Sequence, residues 1–210
     1  DYISGQVAER RKNPRDDLIT RLTEVEVADE RGELGRLDDG DIRMFFVLLA
    51  TAGNETVMKL LATALHELWR NPEQRSVLTS EPNWTANAVE ETLRFDPPSQ
   101  YQGRVTTRDV SLHGATIPKG AKVALINGAS GRDERKFPNA SAYEVRRKID
   151  LHLGFGYGRH VCLGAHLARM ESRIGLAEFL RRYPSYEVVS TERMHSSNVR
   201  GFKSVVVELG

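Results

Sequence analysis

From Asp38 to Arg70 the chain runs without proline, and its apolar positions first cluster and then space out at helical intervals. Met44 to Ala52 is almost wholly apolar. Leu60, Leu61, Ala64, Leu65 and Leu68 continue at the three- and four-residue spacing that keeps side chains on one helix face. The pattern predicts one long helix. Asp38, Asp39 and Asp41 suit its positive end, and Asn71-Pro72 stops it. At ~1.5 Å per residue it crosses a whole domain, and an all-round apolar middle implies burial there. Gly53 lies in that middle. A glycine costs about 1 kcal/mol against alanine in a helix interior, so a kink, a close approach or a ligand against the backbone is expected to compensate.

Shorter elements follow. Pro72 to Thr79 and Asn83 to Phe95 read as helices, the second closed by Pro97-Pro98. Arg104 to Leu112, Ala115 to Ile117 and Lys122 to Ile126, with turns at His113-Gly114 and Pro118 to Gly120, read as short antiparallel strands. Asn127 to Ile149 is polar and irregular. A loop with Gly154, Gly156 and Gly158 leads into a helix from about Leu163 to Arg182, stopped by Pro184, and Glu187 to Val189 with Ser204 to Leu209 form a closing hairpin. Tyr2 to Arg11 is also helical in pattern. The expected class is mainly α with small antiparallel β-sheets. No repeat or linker interrupts the chain, so residues 1–210 are expected to form one region.

Composition changes this picture at few points. A chain of 210 residues, 40% hydrophobic and 28% charged, can build one substantial core. Lys plus Arg number 30 and Asp plus Glu 29, so no basic excess points to nucleic acid or an anionic membrane. The longest apolar run, Met44 to Gly53, is far shorter than the roughly 18 residues of a membrane span, and no signal-peptide pattern opens the chain. A soluble, cytoplasmic protein without a membrane span is expected. Residue 1 is Asp rather than Met, which suggests a piece of something longer. The single cysteine, Cys162, cannot form an internal disulfide, which fits a reducing compartment and leaves a thiol free to act as ligand or nucleophile.

That cysteine lies in Phe155-Gly156-Tyr157-Gly158-Arg159-His160-Val161-Cys162-Leu163-Gly164, a glycine-rich loop that delivers it to a helix start. Unpaired N–H groups and the positive helix end favour a thiolate there, the form in which cysteine acts as a metal ligand or nucleophile. Gly158 and Gly164 let the backbone turn tightly and approach the sulfur and any group it holds. Taken alone, a cysteine near a helix start is more often a packed thiol.

The segment resembles the cysteine-ligand loop of cytochrome P450 enzymes: Phe, two residues, Gly, one residue, Arg or His, one residue, Cys, one residue, Gly. Every specified position matches. The resemblance implies the C-terminal, haem-binding half of the P450 fold, with Cys162 as axial metal ligand to haem b, Phe155 beside the sulfur, Gly156 and Gly164 in the cradle, and His160 on a propionate. Ala52-Gly53-Asn54-Glu55-Thr56 is similar to the family's oxygen-binding groove, which implies Thr56 as hydrogen-bond partner of the activated oxygen and Glu55 as proton relay. On residue types alone, Thr56 bonds its own helix and Glu55 is solvated.

Glu91-Thr92-Leu93-Arg94 resembles the family's structural Glu-x-x-Arg, a buried pair tied to the loop before the cysteine. Ala142 stands where a third partner, an arginine, is usual, leaving Arg146 or Arg147 to substitute. By the same resemblance Arg104 pairs with a propionate, and Leu48, Thr51, Ala52, Gln100, Asn198 and Val199 lie near substrate. The implied activity is a monooxygenase inserting one atom of O2 into an apolar organic substrate. No flavin or nicotinamide motif occurs, so a separate ferredoxin-type electron donor is expected, docking on the cysteine side near Arg159, Arg169 and Arg173. Family members are longer, so re-pairing with a missing N-terminal half or self-association is expected. The competing expectation is a truncated, non-catalytic haem-binding or structural fragment.

Overall fold

Asp17 organises the beginning of the chain by capping the second of two short helices. In a computed structural model, which describes residues 2–29, 31–196 and 198–210, these are α1 (Tyr2–Lys12) and α2 (Leu18–Glu24). The Thr20 amide at 2.9 Å and the Arg10 guanidinium at 2.5 Å hold the Asp17 carboxyl well below its usual range, at about 2. A hairpin follows, β1 (Glu26–Ala28) antiparallel to β2 (Leu34–Arg36). The sequence pattern predicts neither α2 nor this hairpin. Every residue of both strands is exposed, so no apolar alternation marks them.

The predicted long helix is α3 (Asp39–Arg70). Asp41 N donates to Asp38 Oδ1 at 2.7 Å and Asp38 N to Asp41 Oδ2 at 3.2 Å, a reciprocal cap that fixes its first turn. The chain divides into two compact units, Asp1–Asn54 and Glu55–Gly210, and α3 runs through the division. In the first unit Val7 and Ile42 are fully buried. The expected burial of the apolar middle is not met: Met44, Val47 and Leu48 are 58%, 48% and 55% exposed. Two short helices and a two-stranded hairpin supply too little surface to cover them. By length and composition alone α3 could also cross a membrane, with a window of mean hydropathy 1.3, although its uninterrupted apolar run is short.

In the second unit the same helix is a core element. Leu60, Ala64 and Leu68 pack with residues of α4 (Pro72–Ser80), α5 (Thr85–Phe95) and α7 (Ala165–Arg182), among them Leu78, Leu93 and Leu176. Leu61 lies 3.2 Å from where a Cβ on Gly175 would sit, so α3 and α7 approach closely at that glycine. A 3-10 turn, Pro82–Trp84, leads into α5, which Asp96 closes before the two prolines.

Three further antiparallel pairs complete this unit: β3 (Gln102–Val105) with β6 (Lys122–Leu125), β4 (Val110–Leu112) with β5 (Ala115–Ile117), and β7 (Tyr186–Arg193) with β8 (Phe202–Leu209). The strand predicted from Arg104 to Leu112 is therefore two. Thr106 donates its amide to Ala121 and its hydroxyl to Pro118, which ends the first ladder there. The closing hairpin is longer than predicted because register shifts at Val188/Ser190 and Glu192/Arg193 blur its alternation. Within the polar stretch after Asn127 there is one short helix, α6 (Asn127–Ser130). The predicted class, mainly α with small antiparallel sheets, is the observed one.

Candidate functional site

The loop before α7 is built by backbone bonds that close on the cysteine. Gly156 N donates to Leu153 O at 2.9 Å, and Cys162 N donates to Phe155 O at 2.8 Å. Gly156 and Gly158 both have φ of +74°, a left-handed conformation that a side chain would strain. Between them and the cysteine, Gly158–His160 forms a 3-10 turn that Val161 closes. Cys162 itself is exposed and stands three residues ahead of the helix, whose first residue is Ala165 rather than Leu163. Gly164 has an ordinary φ of −84°, so the expectation that it serves a tight turn is corrected. A Cβ there would meet nothing within 4 Å.

Two adjacent glutamates of α5 anchor this loop and the segment before it. Glu91 and Arg94 are fully buried and paired, with Arg94 Nε and Nη2 donating to the two carboxylate oxygens at 2.6 and 2.7 Å. Arg94 also donates to the carbonyls of Gly131, Ala140 and Ala142 at 2.5, 2.9 and 2.9 Å, so all five guanidinium hydrogens are used. Of the two arginines that could stand in for the one missing at Ala142, Arg147 does so. Its Nε donates to Glu91 at 3.3 Å, and its other donors reach the carbonyls of Pro138, Asn139 and Ala142. Arg146 pairs instead with Glu81.

Glu90 faces another way and was not singled out by sequence. Its carboxylate takes a two-point contact from Arg169 of α7 at 2.6 and 3.0 Å and a bond from His152 Nε2 at 2.8 Å. Burial would raise its pKa, but the His152 and Arg169 bonds prevail and hold it at about 2. His152 is buried, and its Nδ1 accepts the Gly154 amide at 3.0 Å, which puts the ring proton on Nε2. The Arg169 guanidinium lies 4.6 Å from the centre of the Phe155 ring, and the His152 ring 6.1 Å. Glu90 first, with a further contribution from Cys162, raises the Arg169 pKa. Arg169 is thus already matched by a carboxylate, while Arg159 and Arg173 are exposed.

The other predicted residues fall into separate groups. His160 is exposed on the 3-10 turn, and Arg104 is exposed on β3, with Nη1 on its neighbour's carbonyl, Gly103 O, at 2.7 Å. Gln100, Asn198 and Val199 do come together: Gln100 N donates to Asn198 O at 3.0 Å, and Ser99 bridges to Val199. The Gln100 side-chain amide donates to Pro97 O at 2.6 Å. On α3, Glu55 accepts from the buried Lys59 at 2.5 Å, and Thr56 is partly buried. Thr51 donates its hydroxyl back to Val47 O at 2.8 Å, and Leu48 and Ala52 are exposed. No close approach compensates Gly53, since a Cβ there would meet nothing within 4 Å.

These residues can be tested for fit to a haem. Among the described residues no group of three or more His, Cys, Asp or Glu side chains converges, so a metal on Cys162 must bring most of its own ligands, as a porphyrin does. The thiol is accessible, and the space beside Gly164 is open where its own conformation does not demand glycine. The loop fits the group.

The sequence model described as cytochrome P450 matches residues 2–206. The chain belongs to the cytochrome P450 family. It is 39% identical over 211 residues to putative cytochrome P450 123 of Mycobacterium bovis, covering 99% of this chain and 51% of that protein. To putative cytochrome P450 YjiB of Bacillus subtilis it is 35% identical, again covering 99% and 51%. The chain spans about half the length of the curated relatives it matches. Among solved structures it is similar to CYP109E1 of Bacillus megaterium in complex with testosterone, with TM-score 0.92, 33% identity and coverage of 99% of this chain and 57% of that one. It is also similar to P450BioI in complex with an acyl carrier protein ligated to hexadec-9Z-enoic acid, with TM-score 0.91, 31% identity and coverage of 100% and 53%.

Proposed function

We propose that this chain is the haem-b-binding part of a cytoplasmic monooxygenase that inserts one atom of O2 into an apolar organic substrate and releases the other as water, using two electrons and two protons. The observation that carries this reading is the Cys162 loop, an accessible thiol fixed by the Phe155 carbonyl next to the open space at Gly164. When bound, a thiolate-ligated haem supplies the electron-rich iron at which O2 is activated. Cys162 would hold the iron through its thiolate, a soft anionic ligand. His160 and Arg104 offer cationic donors to the haem carboxylates. Thr56 holds a proton donor by its hydroxyl, and Glu55, one turn before the Lys59 that donates to it, relays protons toward that hydroxyl.

Gln100, bonded to Asn198, and Val199, bridged to Ser99, border the substrate. The class of substrate is apolar, as the fatty acyl chain and the steroid in the two structural neighbours are. Electrons come from a separate ferredoxin-type partner that meets exposed cations such as Arg159 and Arg173. The test is incorporation of labelled O2 by the haem-loaded full-length protein, supplied with ferredoxin and reductase and offered long-chain acids and steroids. One labelled oxygen atom per product is expected, with Thr56→Ala consuming electrons but making mainly peroxide. Unlabelled product, or unchanged coupling in Thr56→Ala, contradicts the reading.

A further inference from the structure

We infer that Glu90, His152 and Arg169 form a clamp that fixes where the loop presents the Cys162 sulfur and sets the charge the sulfur feels, a positioning role that rests on reading Cys162 as the haem ligand. Each link is a direct contact. Glu90 stands on α5, the most deeply buried helix of its unit, next to the fully satisfied Glu91–Arg94 pair. From that fixed base one carboxylate oxygen accepts a hydrogen bond from His152 Nε2, and His152 Nδ1 accepts one from the Gly154 amide at the start of the loop. Gly154 is pressed onto α5: a Cβ there would come 2.8 Å from Leu93 O and 3.0 Å from His152 Nδ1. Glycine is required at that point by contact.

The other arm reaches the loop through α7. Arg169 grips Glu90 with both Nε and Nη2 and lays its guanidinium over the Phe155 ring, with the His152 ring also in contact. Phe155 in turn holds the cysteine, since its carbonyl accepts the Cys162 amide at 2.8 Å. An unbroken path of bonds and ring contacts therefore joins the Glu90 carboxylate to the ligand residue. A planar guanidinium makes the two-point and stacked contacts together, which an ammonium cannot. Arg169 interacts electrostatically with Cys162, and Glu90 is its counter-charge, so removing either member leaves the other uncompensated.

That balance makes a signed test. In the haem-loaded full-length protein the iron reduction potential is expected to rise in Glu90→Gln, where Arg169 is left unopposed and favours the added electron. It should fall in Arg169→Gln and return toward the parent value in the double variant, with Arg169→Lys, which keeps the charge but not the two-point and stacked contacts, falling between Arg169→Gln and the parent. A purely structural role does not produce opposite signs that cancel. In the haem-free chain, amide exchange at Gly154 and Cys162 is expected to speed up about tenfold in His152→Ala, the loss of one hydrogen bond to a charged group, while exchange around Arg94 stays unchanged. Potentials that coincide or all move one way, together with unchanged exchange, overturn the clamp. Cys162→Ser separates the two failures: loss of the thiolate spectrum there leaves the ligand assignment standing, and its retention removes that assignment instead. A variant that takes up no haem is still decided by the exchange measurement.

Discussion

The buried end of α5 and the N-terminal half of α3 solve opposite problems. Around α5, charge is taken out of water and every group is answered: Glu91 by Arg94, Arg147 and the Glu144 amide, Glu90 by His152 and Arg169. On α3 between Met44 and Leu48, apolar side chains are left in water with nothing in their own unit to cover them. Burying a charge is tolerated only with nearly ideal partners, so the first region has one arrangement and little tolerance. Exposed apolar surface is non-directional, so the second region tolerates substitution but invites association. Between these two regions the polar positions are therefore the constrained ones, and the exposed apolar ones are negotiable.

The largest effect should come from breaking the α5 side. Arg94→Ala leaves the Glu91 carboxylate buried without its main partner and removes five hydrogen bonds to carboxylate and carbonyl oxygens, and should lower unfolding stability by about 3–5 kcal/mol in urea titration. A loss below about 1 kcal/mol would remove the contrast with α3. Acid should act through the neighbouring carboxylate. The folded pKa of Glu90 is held at about 2, below the usual carboxylate value, so its contribution is present above about pH 4.5 and is lost as pH falls toward 2. The contribution is on the order of 2 kcal/mol, discounted for partial exposure. Unfolding curves collected from pH 6 to pH 3 should show that decline in the parent chain and a flatter profile in Glu90→Gln.

The smallest effect on stability is expected on α3. Leu48→Glu should change unfolding stability by no more than about 0.5 kcal/mol, because the side chain is already half in water. Its effect should be on association instead. Light scattering of the 210-residue chain is expected to report oligomers that Leu48→Glu shifts toward monomer, and a monodisperse parent chain would show that the apolar stretch is harmless.

The two regions were also unequally legible in the sequence. The long helix, the short helices before the double proline and the cysteine loop announce themselves, because proline-free apolar spacing, caps and a ten-residue motif are local signals. The pairing of Glu91 with Arg94 was legible from their three-residue spacing, which alone reads as an exposed surface pair, and their burial only from the family resemblance. Arg147 was narrowed to one of two candidates, and only three-dimensional placement shows that it, and not Arg146, reaches Glu91. Glu90 and His152 were missed because their partners lie 62 and 79 residues apart in the chain, and adjacent glutamates on a helix give no hint that they face different neighbours. The hairpin of Glu26–Ala28 and Leu34–Arg36 was missed because it buries nothing. Burial of the apolar middle of α3 failed as an expectation since hydropathy reports what a surface prefers, while coverage depends on what else is present.

The central claim is that Cys162 holds haem iron as a thiolate, and the carbon monoxide difference spectrum of the reduced, haem-loaded full-length protein tests it most directly. The parent protein is expected to give the strongly red-shifted Soret band of a thiolate-ligated iron, and Cys162→Ser to lose it even where haem is retained, because a hydroxyl is not the same soft anionic ligand. A parent spectrum without that shift, or an unchanged one in Cys162→Ser, would contradict the account.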